Sequence, residues 1–215
     1  MAVTSNKALR VCTLEQKGNI DYENDVTKLA LIDDTFSWDG KKHKAWDASA
    51  WIASTVYAKG DIVAPTTPNG YLYRCTVGGT TAASEPTWPT TFGNTVVDNG
   101  ATWECWSYHT KTHEITQQNG YTGPVTLQSG GVDGMTVTEN ETDTRSEAAA
   151  DNVEITANNG SFGPTKGAVL FNDTHAENPM VGYIDFGSTF TPEAGVSVKV
   201  EDIMVTDKAI QGVTA

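Results

Sequence analysis

Turn-forming residues recur along this chain at such short intervals that little longer than a strand fits between them. Lys59-Gly60-Asp61, Pro68-Asn69-Gly70, Gly78-Gly79, Asp98-Asn99-Gly100, Asn119-Gly120 and Asn159-Gly160 supply backbone conformations that end strands, the last two being hairpin-type pairs. The runs between such signals are β-branched or alternate apolar with polar: residues 61–64, 71–77, 101–106, 135–138, 152–156, 168–171, 181–186 and 196–200. Short strands spaced this way predict an all-β protein, with a jelly-roll or β-sandwich base domain and a small inserted antiparallel β module. One stretch departs from the pattern. Residues 133–151, polar and acidic, read as a surface loop, and within it residues 145–151 are a helical candidate too short to stand alone.

Fourteen Lys+Arg face 27 Asp+Glu, a formal charge of −13. DNA, RNA and anionic lipid bind proteins whose Lys and Arg displace counterions, so neither nucleic acid nor membrane is an expected partner of this polyanion. No apolar run approaches the roughly 20 residues of a membrane helix. The polar start, Met1 to Lys7, shows no basic-then-apolar leader pattern, which predicts synthesis and assembly in the cytoplasm. Three cysteines, Cys12, Cys75 and Cys105, are too few and odd in number for a secreted disulfide scaffold. A Cys75–Cys105 disulfide and two buried thiols both fit neighbouring strands.

Five of the six tryptophans, Trp46, Trp51, Trp88, Trp103 and Trp106, fall between residues 44 and 107, with Trp38 alone outside. Charge is uneven too: residues 1–43 sum to −1, 44–107 to −2 and 108–215 to −10. The chain is therefore read as a discontinuous β-sandwich base, residues 1–43 with 108–215, interrupted by a protruding module at 44–107. An insertion at a hairpin tip is tolerated where its two ends meet, since loop-closure entropy grows slowly with length. Residues 41–44 and 107–109 are the expected stems, side by side. Within the module, the period of two sets Tyr71, Tyr73 and Cys75 on one face and separates Trp103 and Cys105 from Thr102, Glu104 and Trp106.

The run Trp51-Ile-Ala-Ser-Thr-Val-Tyr57-Ala-Lys-Gly60-Asp61-Ile-Val63, followed by Gly70-Tyr71-Leu-Tyr73-Arg-Cys75, Glu85-Pro86-Thr-Trp88-Pro89 and Gly100-Ala-Thr-Trp103-Glu-Cys105, resembles the small chitin-binding-like carbohydrate modules of chitinases and many phage structural proteins. The match covers about residues 46–106. The rest, with Lys28-Leu-Ala-Leu-Ile-Asp-Asp34, Ala168-Val-Leu-Phe-Asn-Asp-Thr174 and Asn178-Pro-Met-Val-Gly-Tyr183-Ile184-Asp185-Phe186-Gly187, is similar to small tailed-phage virion proteins. Together the two likenesses imply a capsid decoration or cement protein on the outer surface of a virion. Its partners would be the major capsid protein and host-surface or mucus glycans held weakly by the module; and because thin-cored β domains gain stability by oligomerising around a symmetry axis, its own copies in a homotrimer are expected too. The same likenesses admit a tail- or fibre-associated adhesin whose main task is receptor recognition. In the look-alike modules the positions of Trp51, Tyr57 and Trp103 recur as scaffold.

Flat rings hold sugars because the C–H face of a pyranose packs on them while neighbouring polar groups take the hydroxyls. Trp88, in the stiff Glu85-Pro86-Thr87-Trp88-Pro89 loop, is the foremost surface candidate, with Tyr71, Tyr73 and Trp106 beside it. So small a module also needs several of its rings as core. No catalytic residue and no cofactor is nominated. The sequence has no nucleophile elbow, phosphate-cradling loop, Cys-x-x-Cys pair or His-Glu-x-x-His helix, so the chain is not expected to be an enzyme. His109 and His113 stand four apart, but the local sequence reads as strand or linker, where such positions lie roughly 13 Å apart. They are expected as solvated surface histidines, and no metal site is assigned. Asp21, Glu23 and Asp25 alternate without the glycine and terminal glutamate of a calcium loop and read as a solvated acidic turn. Leu9, Val11, Leu14 and Ile20 form either an anchoring arm or a first strand.

Overall fold

The computed structural model describes residues 2–6, 15, 18–140, 145–206 and 209–214; Leu9, Val11, Cys12 and Leu14 lie outside that set. The chain divides into two compact units, residues 1–41 with 113–215 and residues 42–112. Strands β1 (Ala2–Asn6) and β2 (Thr27–Ile32) open the first unit. The second unit supplies β3 (Val56–Tyr57), β4 (Ile62–Val63), β5 (Tyr71–Val77), β6 (Gly79–Thr80), β7 (Thr95–Asp98) and β8 (Ala101–Tyr108). After a 3₁₀ turn, Thr110–His113, the first unit resumes with β9 (Val125–Thr126), β10 (Gln128–Ser129), β11 (Val132–Asp133), β12 (Thr136–Asn140) and β13 (Arg145–Ala149). It ends with β14 (Val153–Thr156), β15 (Thr165–Asn172), β16 (Met180–Phe190), β17 (Ser197–Thr206) and β18 (Ala209–Thr214). All the ladders between these strands are antiparallel, and the fold is all-β.

In the first unit one sheet runs β1-β18-β17-β13-β12, with β14 also paired to β17, and another runs β16-β15-β2-β9. Leu29, Ala30, Leu31 and Ile32 of β2 and Ala168, Val169, Leu170 and Phe171 of β15 are all buried. Side chains on both faces of these central strands are covered, which is why their sequences are continuously apolar rather than alternating. Strand β17 alternates, with Val198 and Val200 buried, then changes phase. A bulge between Glu201 and Met204, where Asp202 takes a left-handed φ of 51°, makes Ile203 and Val205 the next buried pair. The extra residue keeps both halves of the strand facing the core.

Asn119-Gly120 forms a tight turn between Gln118 and Tyr121, with φ of 50° and 106°. A Cβ on Gly120 would lie 2.0 Å from the Thr156 carbonyl oxygen, so no larger residue fits. Asn159-Gly160 is not a hairpin; it lies between β14 and β15, which belong to different sheets. The expected loop at 133–151 is also replaced. Strands β12 and β13 pair from Thr136↔Ala149 to Asn140↔Arg145, and β13 continues onto β17 through Glu147↔Thr206. Residues 145–149 are strand rather than helix because a run this short nucleates a helix poorly, whereas here it finds a ladder on either side. Ile20 is half-buried in an irregular segment.

The second unit holds the sheet β4-β5-β8-β7 and the small pair β3-β6. Its two ends lie side by side: the Tyr108 N–H donates to the Lys42 carbonyl at 3.0 Å and the Lys44 N–H to Ser107 Oγ at 3.0 Å. Strand β6 rests on the β7–β8 turn so closely that a Cβ on Gly79 would lie 2.2 Å from the Gly100 carbonyl oxygen.

Candidate functional site

The β4-β5-β8-β7 sheet buries aromatic side chains on both faces. On one, Tyr73 and Cys75 of β5 and Trp103 and Cys105 of β8 pack with Trp51, Val63 and Ala101. On the other, Leu72 and Trp106 pack with Ala45 and Ala64. Two indoles of the first face share one carboxylate. Asp98, buried at the end of β7, accepts on Oδ2 from Trp51 Nε1 at 2.8 Å and Trp103 Nε1 at 3.1 Å, and on Oδ1 from the Ala82 N–H at 2.8 Å. A buried donor left without an acceptor costs about 1–3 kcal/mol, so this carboxylate is what lets two tryptophans enter the core. Tyr57 is half-buried, edge-on to Trp103 at 5.0 Å, and its hydroxyl accepts from the Ile52 N–H at 3.1 Å.

Above this core sits the loop of Trp88. Its ring lies on Tyr73 with centroids 4.3 Å apart at 33° and meets Trp103 at 6.0 Å and 67°. Its Nε1 donates to Glu85 Oε1 at 2.8 Å, and Glu85 also accepts from the Thr66 N–H and hydroxyl. Burial alone would raise the Glu85 pKa; the bonds from Thr66 and Trp88 reverse that and lower it. The Tyr73 hydroxyl donates to the Pro89 carbonyl at 2.8 Å, pinning the loop from below.

Beside Trp88's loop, three half-buried rings form a second cluster. Tyr71 and Tyr108 are paired across β5 and β8, because a bulge at Leu72 advances β8 by one residue and places Tyr108 rather than Ser107 opposite Tyr71. Their centroids are 5.6 Å apart at 33°. Phe92 stands upright against both, 5.6 Å from Tyr71 at 68° and 4.9 Å from Tyr108 at 87°. Lys42 Nζ lies 5.5 Å from the Phe92 centroid, and the buried His43 ring lies 4.9 Å from that of Tyr108. The Tyr71 and Tyr108 rings are tilted to each other, Phe92 meets both edge-on, and the Lys42 ammonium stands over Phe92.

Of the four rings singled out from sequence, Tyr71 and Trp88 keep part of their surface. Tyr73 and Trp106 do not. Tyr73 is 0% exposed, and Trp106 is 6% exposed beneath Lys44 Nζ and the Arg74 guanidinium, 5.1 and 5.5 Å from its centroid. Neither offers a ring face to a sugar, and Trp106 lies on the face of the sheet opposite Tyr71. Phe92 and Tyr108 take their places in the ring cluster. No motif marks Phe92, and the bulge that turns Tyr108 toward Tyr71 has no signature in an alternating pattern.

Cys75 and Cys105 are buried free thiols. They are diagonal neighbours, Cys75 across from Trp103 and Cys105 across from Tyr73; such diagonals stand about 7–8 Å apart, beyond the reach of a disulfide. Burial pushes the Cys105 thiol up to about 11 and moves Cys75 in the same direction. His109, in a bridge with Ala45, precedes the 3₁₀ turn and His113 ends it, and the two turn to different carboxylates. His109 Nε2 is 2.7 Å from Asp47 Oδ1, and His113 Nδ1 is 3.3 Å from Asp33 Oδ1. His109 is buried rather than solvated. Lys111 Nζ reaches Asp47 Oδ2 at 2.6 Å; burial alone would raise the Asp47 pKa, but the bonds from His109 and Lys111 bring it down to about 2. Asp21 closes a turn by accepting from Asn24 Nδ2 and from the Glu23 and Asn24 N–H groups, which holds its carboxyl below the usual range. Among the described residues no three His, Cys, Asp or Glu side chains converge as metal ligands.

The second unit thus carries a part-exposed cluster of three rings with a cation beside it, a chemistry suited to stacking on the C–H face of a ligand. No family model, curated protein or solved structure matches the chain.

Proposed function

We propose that this chain is a non-enzymatic virion protein of the tailed-phage decoration or cement type, bound to the outer capsid shell through the major capsid protein and through its own copies. In this reading the first unit is a β-sandwich or jelly-roll base. Residues 42–112 are an inserted carbohydrate-module-like unit that displays the ring cluster of Tyr71, Phe92 and Tyr108 to host-surface or mucus glycans. The observation that carries the reading is the half-exposed ring cluster. A unit this small commits Trp51, Tyr73, Trp103 and Trp106 to its interior, yet leaves three further rings, packed on one another, together and half-exposed, where a ligand can reach them. Single contacts of this kind are weak, and many copies on one particle convert them into an avid surface.

Quantitative mass spectrometry of purified particles tests the placement. Copies in proportion to the shell's capsid subunits support decoration; a few copies confined to the tail support the adhesin reading instead. Absence from the particle removes both.

A further inference from the structure

On the face of the β4-β5-β8-β7 sheet that carries Trp106, Ala45, Ala64 and Leu72 pack round the indole at one end. Further along that face the register aligns Ile62, Arg74, Glu104 and Thr95 across the four strands, and then Val77, Thr102 and Val97 across three. Val77 is 54% exposed and Val97 70%. Two valines flanking a threonine on an open sheet face are out of place against water, where antiparallel sheets carry polar side chains.

Charge says what fits there. Residues 42–112 contain five basic and five acidic side chains, so the whole −13 resides on residues 1–41 with 113–215. Four of the unit's five carboxylates have internal work: Asp47 with His109 and Lys111, Asp61 with the Ala58 N–H, Glu85 with Thr66 and Trp88, and Asp98 with two indoles. On the valine-bearing face, Lys44 and Arg74 are gathered at the Trp106 ring, and Glu104 is the carboxylate across from Arg74. Two first units repel each other, whereas a first unit and this face do not.

We propose that this face receives the acidic first unit of a second copy of the chain, with Val77 and Val97 as the dry centre and Lys44 and Arg74 as the charge-matched border. The two contacting surfaces differ, so the contact is head-to-tail and propagates around a ring or along a line. It does not depend on the glycan reading, because the ring cluster lies on the other face of the sheet.

Sedimentation equilibrium of the full chain decides the matter. Association is expected at about 50 mM salt and weakens at least about tenfold by about 500 mM. Val77→Ser with Val97→Ser, and separately Lys44→Glu with Arg74→Glu, weaken it by a similar factor at low salt while near-UV circular dichroism stays unchanged. A chain that remains monomeric at about 100 μM in low salt, an association indifferent to salt, or undiminished association in the folded valine variant overturns the proposal. None of these outcomes touches sugar binding, which is measured separately.

Discussion

Both oxygens of Asp98 are committed, one to two indole N–H groups and the other to a backbone N–H. Asp98→Ala therefore leaves two buried donors unmatched and lowers stability by about 3 kcal/mol, whereas Asp98→Asn, which keeps an acceptor, costs less; urea unfolding followed by tryptophan fluorescence measures both. Asp47 acts through pH. Its carboxyl titrates at about 2 in the folded chain against an ordinary 3.8, so its contribution is present above pH 4 and is lost as the pH falls toward 2. Discounted for its partial exposure, that contribution is about 1 kcal/mol. Thermal melts of Asp47→Asn and the parent chain should differ at neutral pH and converge near pH 2. The raised thiols make a third prediction: in the native chain Cys75 and Cys105 stay unalkylated by iodoacetamide at pH 8 and react on denaturation, as read by peptide mass spectrometry. At this scale the sequence is informative about type and less so about place. Trp51 and Trp103 are legible as scaffold, but Asp98 reads as a turn residue of Asp98-Asn99-Gly100, because its burial depends on segments 51 and 82 arriving from elsewhere in the chain.

Strands are the most legible elements, since a period of two and its turn signals are local properties. Strand β5 coincides with the run 71–77, and β8 contains 101–106. What alternation cannot show is where it breaks. The bulge at Leu72 brings Tyr108 beside Tyr71, and the one at Asp202 re-phases β17; both are settled by pairing partners rather than by the residues themselves. The β12–β13 hairpin is hidden for a related reason, its side chains being polar or small enough to resemble a loop until a ladder forms. Turn chemistry is firmer ground. Gly120→Ala places a methyl against the Thr156 carbonyl at a φ of 106°, and a loss of about 2 kcal/mol or more is expected in chemical denaturation.

For the whole molecule, the division of charge matters as much as the division of the chain. One unit carries the full −13 and the other is neutral, so in the proposed reading the unit bearing the ring cluster would meet anionic polymers without the repulsion its companion would meet. The central claim is that this chain acts by presenting a surface. Equilibrium binding of the intact protein to chitin and to bacterial polysaccharides, beside a Phe92→Ala, Tyr108→Ala variant of unchanged near-UV spectrum, tests it most directly. Retention of the parent chain with at least about a tenfold loss in the variant is the predicted result; no retention of either, or equal retention of both, contradicts it.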